Sequence, residues 1–316
     1  MCHDLVSAST NGVLLVVAVR TTLIGLVVVA ILPACGGKRD VPGVLAESGS
    51  SGSAAAVTPS FAERRAQHRT NLVRHGPSPQ PFVDEPTPPG VEEIRYRSDG
   101  RDLRAWYAHP VAGRAPALVY FHGGFAFGAD DFSVVRPFVD AGFAVMTPTW
   151  RGENGNPGEF ELYYGELDDA RAAVTWIRAR PEVDPDRVFA FGHSAGGVLA
   201  ALISFYPTTG LRLAGSVGGL YDTEVLDGFE PFDPADAQER VLRVAAPNAD
   251  QFRVPHIGYI GARDVIARRG ATTAARIARA AGSPLTIEIV PGDHLASLQP
   301  ALQRFLVRVQ QDLARR

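Results

Sequence analysis

The sequence predicts a doubly wound α/β fold: a mostly parallel sheet with helices on both faces and a small cap or lid insertion. Three observations predict it. Ala117-Leu118-Val119-Tyr120-Phe121 and Phe143-Ala144-Val145-Met146-Thr147-Pro148 are nearly unbroken apolar runs, as expected of strands covered on both faces. Helical spacing lies between such runs, as at Leu167, Ala170, Val174 and Ile177. Finally, Val188-Phe189-Ala190-Phe191 passes through Gly192-His193-Ser194-Ala195-Gly196-Gly197 into Val198-Leu199-Ala200-Ala201-Leu202-Ile203, a strand turning sharply into a buried helix.

Taken from the N-terminus, residues 12–19 and 23–34 are apolar and are separated by Arg20-Thr21-Thr22. The second run spans ~18 Å as a helix, short of a bilayer core of ~30 Å, and reads as the core of a signal peptide. Leu32-Pro33-Ala34-Cys35 resembles the bacterial lipobox. That resemblance implies a signal peptide over 1–34, lipid modification of Cys35 and a protein anchored in the cell envelope. Gly36 is not the aspartate that marks retention at the inner membrane, which favours the outer one. A single uncleaved anchor over 12–32, or other secretory processing, stays open. Cys2 and Cys35 are the only cysteines, so the fold is expected to stand on its core without a disulfide. Residues 35–89 are rich in Gly, Ser, Pro and Arg, and Glu47-Ser48-Gly49-Ser50-Ser51-Gly52-Ser53 has the composition of a flexible linker.

The catalytic region is expected over 90–316, large enough for one core. A net charge of -3 with both signs interspersed excludes a nucleic-acid stripe. Residues 91–97 and 103–109 read as strands joined by the Ser98-Asp99-Gly100-Arg101 turn. A helix over 133–141 and another over 166–180 follow the two apolar strands. Residues 213–217, 256–260 and 285–290 are three more strands, with helices over 266–281 and 298–313. In such a sheet the crevice lies beyond the carboxyl ends of the strands.

Three strand ends supply a consistent set of chemical groups, in the order Ser194, Asp264, His294. A serine hydroxyl attacks only beside a base. His294 would take its proton, and Asp264 would fix the tautomer of the imidazole. Asp222 and Asp293 are alternatives for the acid. Tyr120-Phe121-His122-Gly123-Gly124-Phe125 places a glycine turn after a strand, so backbone N–H groups can approach an oxyanion. Ala195 is the first expected donor, and Gly124 or Phe125 the second. His122 reads as a neutral structural residue, and His193 as pointing away from the site. No metal or cofactor is expected.

These residues resemble the α/β-hydrolase superfamily, specifically the catalytic domain of the prolyl oligopeptidase (peptidase S9) group, and are also similar to small carboxylesterases. The resemblance rests on Phe121-His122-Gly123-Gly124, Trp150-Arg151-Gly152, Glu166-Leu167-Asp168-Asp169, Gly192-His193-Ser194-Ala195-Gly196-Gly197, Gly261-Ala262-Arg263-Asp264 and Gly292-Asp293-His294. It implies a serine hydrolase with Ser194 as nucleophile, Asp264 as acid and His294 as base. Oligopeptidases of that group carry a large propeller, for which residues 35–89 are too short. The expected substrate is therefore a small or medium acyl ester. A peptidase acting on short peptides and a non-catalytic surface binding protein are the alternatives. Tyr163, Tyr164 and Tyr221, in loops long enough to cover the site, are candidates for substrate contact, with a cap expected over 221–253. Glu159 and Glu161 could meet a cationic group, although a solvated loop face explains them as well.

Overall fold

The computed structural model describes residues 59–111 and 113–315. The signal peptide and the Cys35 anchor expected from the sequence lie outside the described residues. No described helix is long and apolar enough to cross a membrane.

Eight strands form one sheet: β1 (Val91–Ser98), β2 (Arg101–Ala108), β3 (Ala115–Phe121), β4 (Ala144–Pro148), β5 (Val183–His193), β6 (Leu213–Val217), β7 (His256–Gly261) and β8 (Leu285–Val290). Their spatial order is β1-β2-β4-β3-β5-β6-β7-β8. β2 is antiparallel to both neighbours, and every later pair is parallel. Asp99 and Gly100 close the first hairpin with φ of 44° and 78°, the left-handed pair that a two-residue turn requires.

Side-chain alternation along the strands feeds two cores. Val188 and Ala190 of β5 face one cluster while Phe189 and Phe191 face the other, where Phe191 meets Phe305 at 4.9 Å. The first cluster is covered by α1 (Phe61–Gln67) and by helices described below; the second is covered by α2 (Ala129–Ser133) and α3 (Arg136–Asp140). The single helix expected over 133–141 is two short ones. Pro137, in the first turn of α3, has no N–H to continue the earlier helix and would clash with its backbone. α4 (Tyr164–Arg178), α5 (Ala195–Ile203), α6 (Ala237–Val241), α7 (Val265–Ala281) and α8 (Leu298–Leu313) complete the chain. α4, α5 and α7 pack on the first cluster, α8 on the second.

The largest departure from the sequence expectation concerns 60–89, which composition reads as linker. This segment is packed onto the catalytic domain. Ser60 and Glu63 form a reciprocal capping box at the start of α1. Phe61 is fully buried, 5.0 Å from the ring of Phe205. Arg65 donates to the Tyr164 carbonyl and pairs with Asp168 at 2.8 Å. Leu72 bridges to Phe232, and Thr70 and Asn71 donate to Glu239 of α6. Ser78 N–H donates to the Gly152 carbonyl at 2.8 Å, and Phe160 N–H to the Gly76 carbonyl at 2.9 Å. Residues 221–253, with α6 and two 3-10 turns, pack against this strap and carry a buried Arg243–Glu239 pair.

Candidate active site

β5 delivers Ser194 to the carboxyl edge of the sheet, where the chain reverses into α5. Ser194 has φ 52° and ψ -113°, a region that L-residues avoid, and its N–H donates to the Val217 carbonyl at 3.0 Å. Such strain costs of order 1–3 kcal/mol and persists because the turn is clamped. The clamp explains the flanking glycines. A Cβ on Gly192 would sit 2.1 Å from the Gly196 carbonyl oxygen, and one on Gly196 would sit 2.1 Å from that of Phe121.

His294, in the loop after β8, brings Nε2 to 2.9 Å from Ser194 Oγ and Nδ1 to 2.9 Å from Asp264 Oδ2. In the neutral tautomer that fits both contacts, Nδ1–H donates to Asp264 and Nε2 accepts the Ser194 O–H. Asp264 lies in the turn after β7 and caps α7, its Oδ1 accepting the N–H groups of Ile266 and Ala267 at 3.1 and 3.0 Å. Burial opposes its charge. The hydrogen bond from His294 and the two amides outweigh burial and hold the carboxyl below the ordinary aspartate value. The two alternative acids face elsewhere. Asp222 accepts from Thr223 N–H, and Asp293 accepts from Leu295 and Ala296.

Ala195 is the first residue of α5, where an N–H has no partner within the helix. Of the two candidates for a second oxyanion donor, Phe125 spends its N–H on Gln80 Oε1 at 3.0 Å. Gly124, at φ 71°, has an N–H with no acceptor among the described residues. Ser78 of the same strap donates its hydroxyl to the Phe125 carbonyl. The segment read as linker therefore holds the glycine turn in place.

Two histidines differ from their sequence reading. Burial alone would lower His122, but its Nε2 lies 3.0 Å from Glu153 Oε2 and that charge pushes it up to about 9. It is an imidazolium at neutral pH rather than a neutral ring. Both its nitrogens donate, to Glu153 and to the Gly123 carbonyl at 3.0 Å. His193 does not point away. Its Nε2 donates to the His294 carbonyl at 3.2 Å, and burial lowers it to about 4, so it remains neutral.

A pocket opens beside Ala195 and Gly196, walled by Phe125, Trp150, Phe160 and Tyr163. Of the three tyrosines expected to touch substrate, only Tyr163 lines it. Tyr164 lies under α1, its hydroxyl donating to the Arg65 and His68 carbonyls and its ring stacked on two guanidinium groups. Tyr221 is fully buried, bonded to Ser216 and to His256 at 3.1 Å. Glu159 pairs with His75 at the surface. Glu161 pairs with Arg151, which also forms a two-pronged bridge to Asp169. Sequence reasoning quoted Arg151 and Glu166-Leu167-Asp168-Asp169 only as motifs. Their signal was available: Glu166 and Asp169 fall among the apolar positions of α4, where an acid needs a reason to be buried.

Comparison with known proteins identifies the family of the chain. The family described as X-Pro dipeptidyl-peptidase (S15 family) matches residues 32–225, well over half of the chain. The matched span contains Ser194 and ends before Asp264 and His294. The uncharacterized peptidase YtmA of Bacillus subtilis is 30% identical over 197 residues, which cover 58% of this chain and 70% of the relative. A Mycobacterium tuberculosis puromycin-hydrolyzing peptidase superposes with a TM-score of 0.58 at 20% identity, over 70% of this chain and 40% of that one. Esterase 2 of Thermogutta terrifontis gives 0.57 at 21% identity, over 72% of this chain and 96% of that one. At these identities the two structures show a shared fold, and nothing finer.

Proposed function

The chain belongs to the X-Pro dipeptidyl-peptidase (S15) family and is a serine hydrolase, and from that premise we propose a serine peptidase that cleaves short peptides through an acyl-enzyme. The observation that carries the mechanism is the unbroken chain Ser194–His294–Asp264 with both links at 2.9 Å. His294 Nε2 takes the Ser194 proton as Oγ bonds to the acyl carbon, and the imidazolium that forms is stabilised by Asp264. Charge on the tetrahedral oxygen falls to the Ala195 and Gly124 N–H groups. His294 then returns the proton to the leaving amine, and water repeats the sequence to free the acid.

The family and the YtmA relative favour peptides over the ester substrate expected from sequence. One observation keeps the esterase as second reading: this chain matches nearly the full length of a free-standing esterase but two fifths of a larger peptidase. Comparing dipeptidyl and aminoacyl p-nitroanilides with p-nitrophenyl acyl esters separates the two, with Ser194→Ala as control. The peptidase reading expects anilide turnover that vanishes, with fluorophosphonate labelling, in the Ser194→Ala variant. Ester turnover without anilide turnover would replace it by the esterase, and retained labelling in that variant would remove Ser194 as nucleophile.

A further inference from the structure

Three charged residues reach the wall of the pocket beside Ser194, and two are matched. Arg151 is held by Asp169 and Glu161, and Glu153 by His122. Glu166, in the first turn of α4 and 3% exposed, is not. Its Oε1 accepts the Glu161 N–H at 2.7 Å, while its Oε2 is buried with no partner among the described residues.

The protonation state follows from the neighbours. Arg243, the cation facing from the cap side, is committed to Glu239, Thr70 and the Glu161 carbonyl. The Glu161 carboxylate adds repulsion, and Tyr163 offers only a neutral hydroxyl. Burial first, then Glu161, push Glu166 up to about 8 against a smaller pull from Arg151. At neutral pH it is therefore the acid. Since Oε1 accepts an N–H, it is the carbonyl oxygen, and the proton sits on Oε2. The result is an O–H donor without an acceptor among the described residues, in a pocket next to the nucleophile whose other charged side chains, Arg151 and Glu153, are already paired.

Resting on the acyl-enzyme reading above, we infer that Glu166 selects the acyl group by donating Oε2–H to a neutral oxygen on it: a hydroxyl, ether or amide carbonyl. A bare alkyl chain leaves the donor unmatched, which is the costlier outcome for a buried group. An ammonium group would require Glu166 to ionise beside Glu161.

The test uses three p-nitrophenyl esters whose acyl groups have equal heavy-atom counts: butyrate, methoxyacetate and β-alaninate. For each, kcat/KM relative to butyrate is compared between the full chain and its variants, so intrinsic ester reactivity cancels. Glu166→Gln keeps a donor, and Glu166→Met removes it at similar volume. The methoxyacetate preference is expected to be about threefold to tenfold greater in the wild type and Glu166→Gln than in Glu166→Met. In the wild type it decays as pH rises through about 8, and in Glu166→Gln that decay is absent. Should Glu166→Met fold poorly, the difference in pH profile carries the test by itself. An unchanged preference in Glu166→Met, or no alkaline decay in the wild type, overturns the inference. A wild-type preference for β-alaninate that Glu166→Gln abolishes would overturn it in favour of a carboxylate reading an ammonium. Fluorophosphonate labelling separates the two levels: intact labelling with these failures sinks only the role of Glu166, whereas an unlabelled wild type sinks the acyl-enzyme beneath it.

Discussion

Glu153→Gln tests whether the glycine turn is held by a charged His122. The imidazole is wholly buried and Glu153 nearly so, and Glu153 Oε2 also accepts the Trp150 N–H at 3.1 Å. Removing one partner of a buried pair costs about 3–5 kcal/mol when the other is forced to stay charged. His122 can instead release its proton, which limits the loss. The interval between the ordinary histidine value of 6.5 and about 9 corresponds to roughly 3 kcal/mol. Because the folded value is the higher one, this stability is fully present below about 6.5 and is lost as pH rises through about 9. Urea unfolding of both proteins, read as a difference so that other titrations cancel, is the assay. The gap is expected to be about 3 kcal/mol at pH 6, or roughly 6–12 °C in Tm for a domain of this size. By pH 9.5 it is expected to shrink to about 1 kcal/mol or less, the worth of a neutral hydrogen bond. A gap that does not change with pH would refute the charged state of His122.

Gly196→Ala places a Cβ 2.1 Å from the Phe121 carbonyl oxygen and 2.4 Å from that of His122. Both are backbone atoms at the oxyanion turn, so the loss is expected at or above the ~1–3 kcal/mol of ordinary overpacking, with a slower rate of fluorophosphonate labelling. Near-normal stability and labelling would mean that the elbow has more slack than its geometry shows. Outside the described residues, Leu32-Pro33-Ala34-Cys35 predicts a mature protein beginning at an acylated Cys35, which mass spectrometry of the amino terminus checks. An unmodified terminus, or an intact Met1, would remove the envelope anchor.

The sequence by itself determined what depends on local periodicity and turn chemistry. Unbroken apolar runs marked β3, β4 and β5 because a parallel strand is covered on both faces. Glycines two residues either side of Ser194 marked the elbow because no other residue fits there. Strand ends supplied Asp264 and His294, although only the fold separates Asp264 from Asp222 and Asp293. The direction of a carboxylate in a loop is set by the amides it caps. Tertiary structure alone decided the rest. Residues 60–80 have linker composition, yet they are ordered by partners 45–190 positions away, among them Phe125, Tyr164 and Gln251. The charge on His122 comes from Glu153, thirty-one residues later, and the neutrality of Glu166 comes from burial and then from the Glu161 carboxylate, with Arg151 and Arg243 already committed to other acids. Protonation state is a property of the surroundings of a group, and the chain brings those surroundings together only on folding.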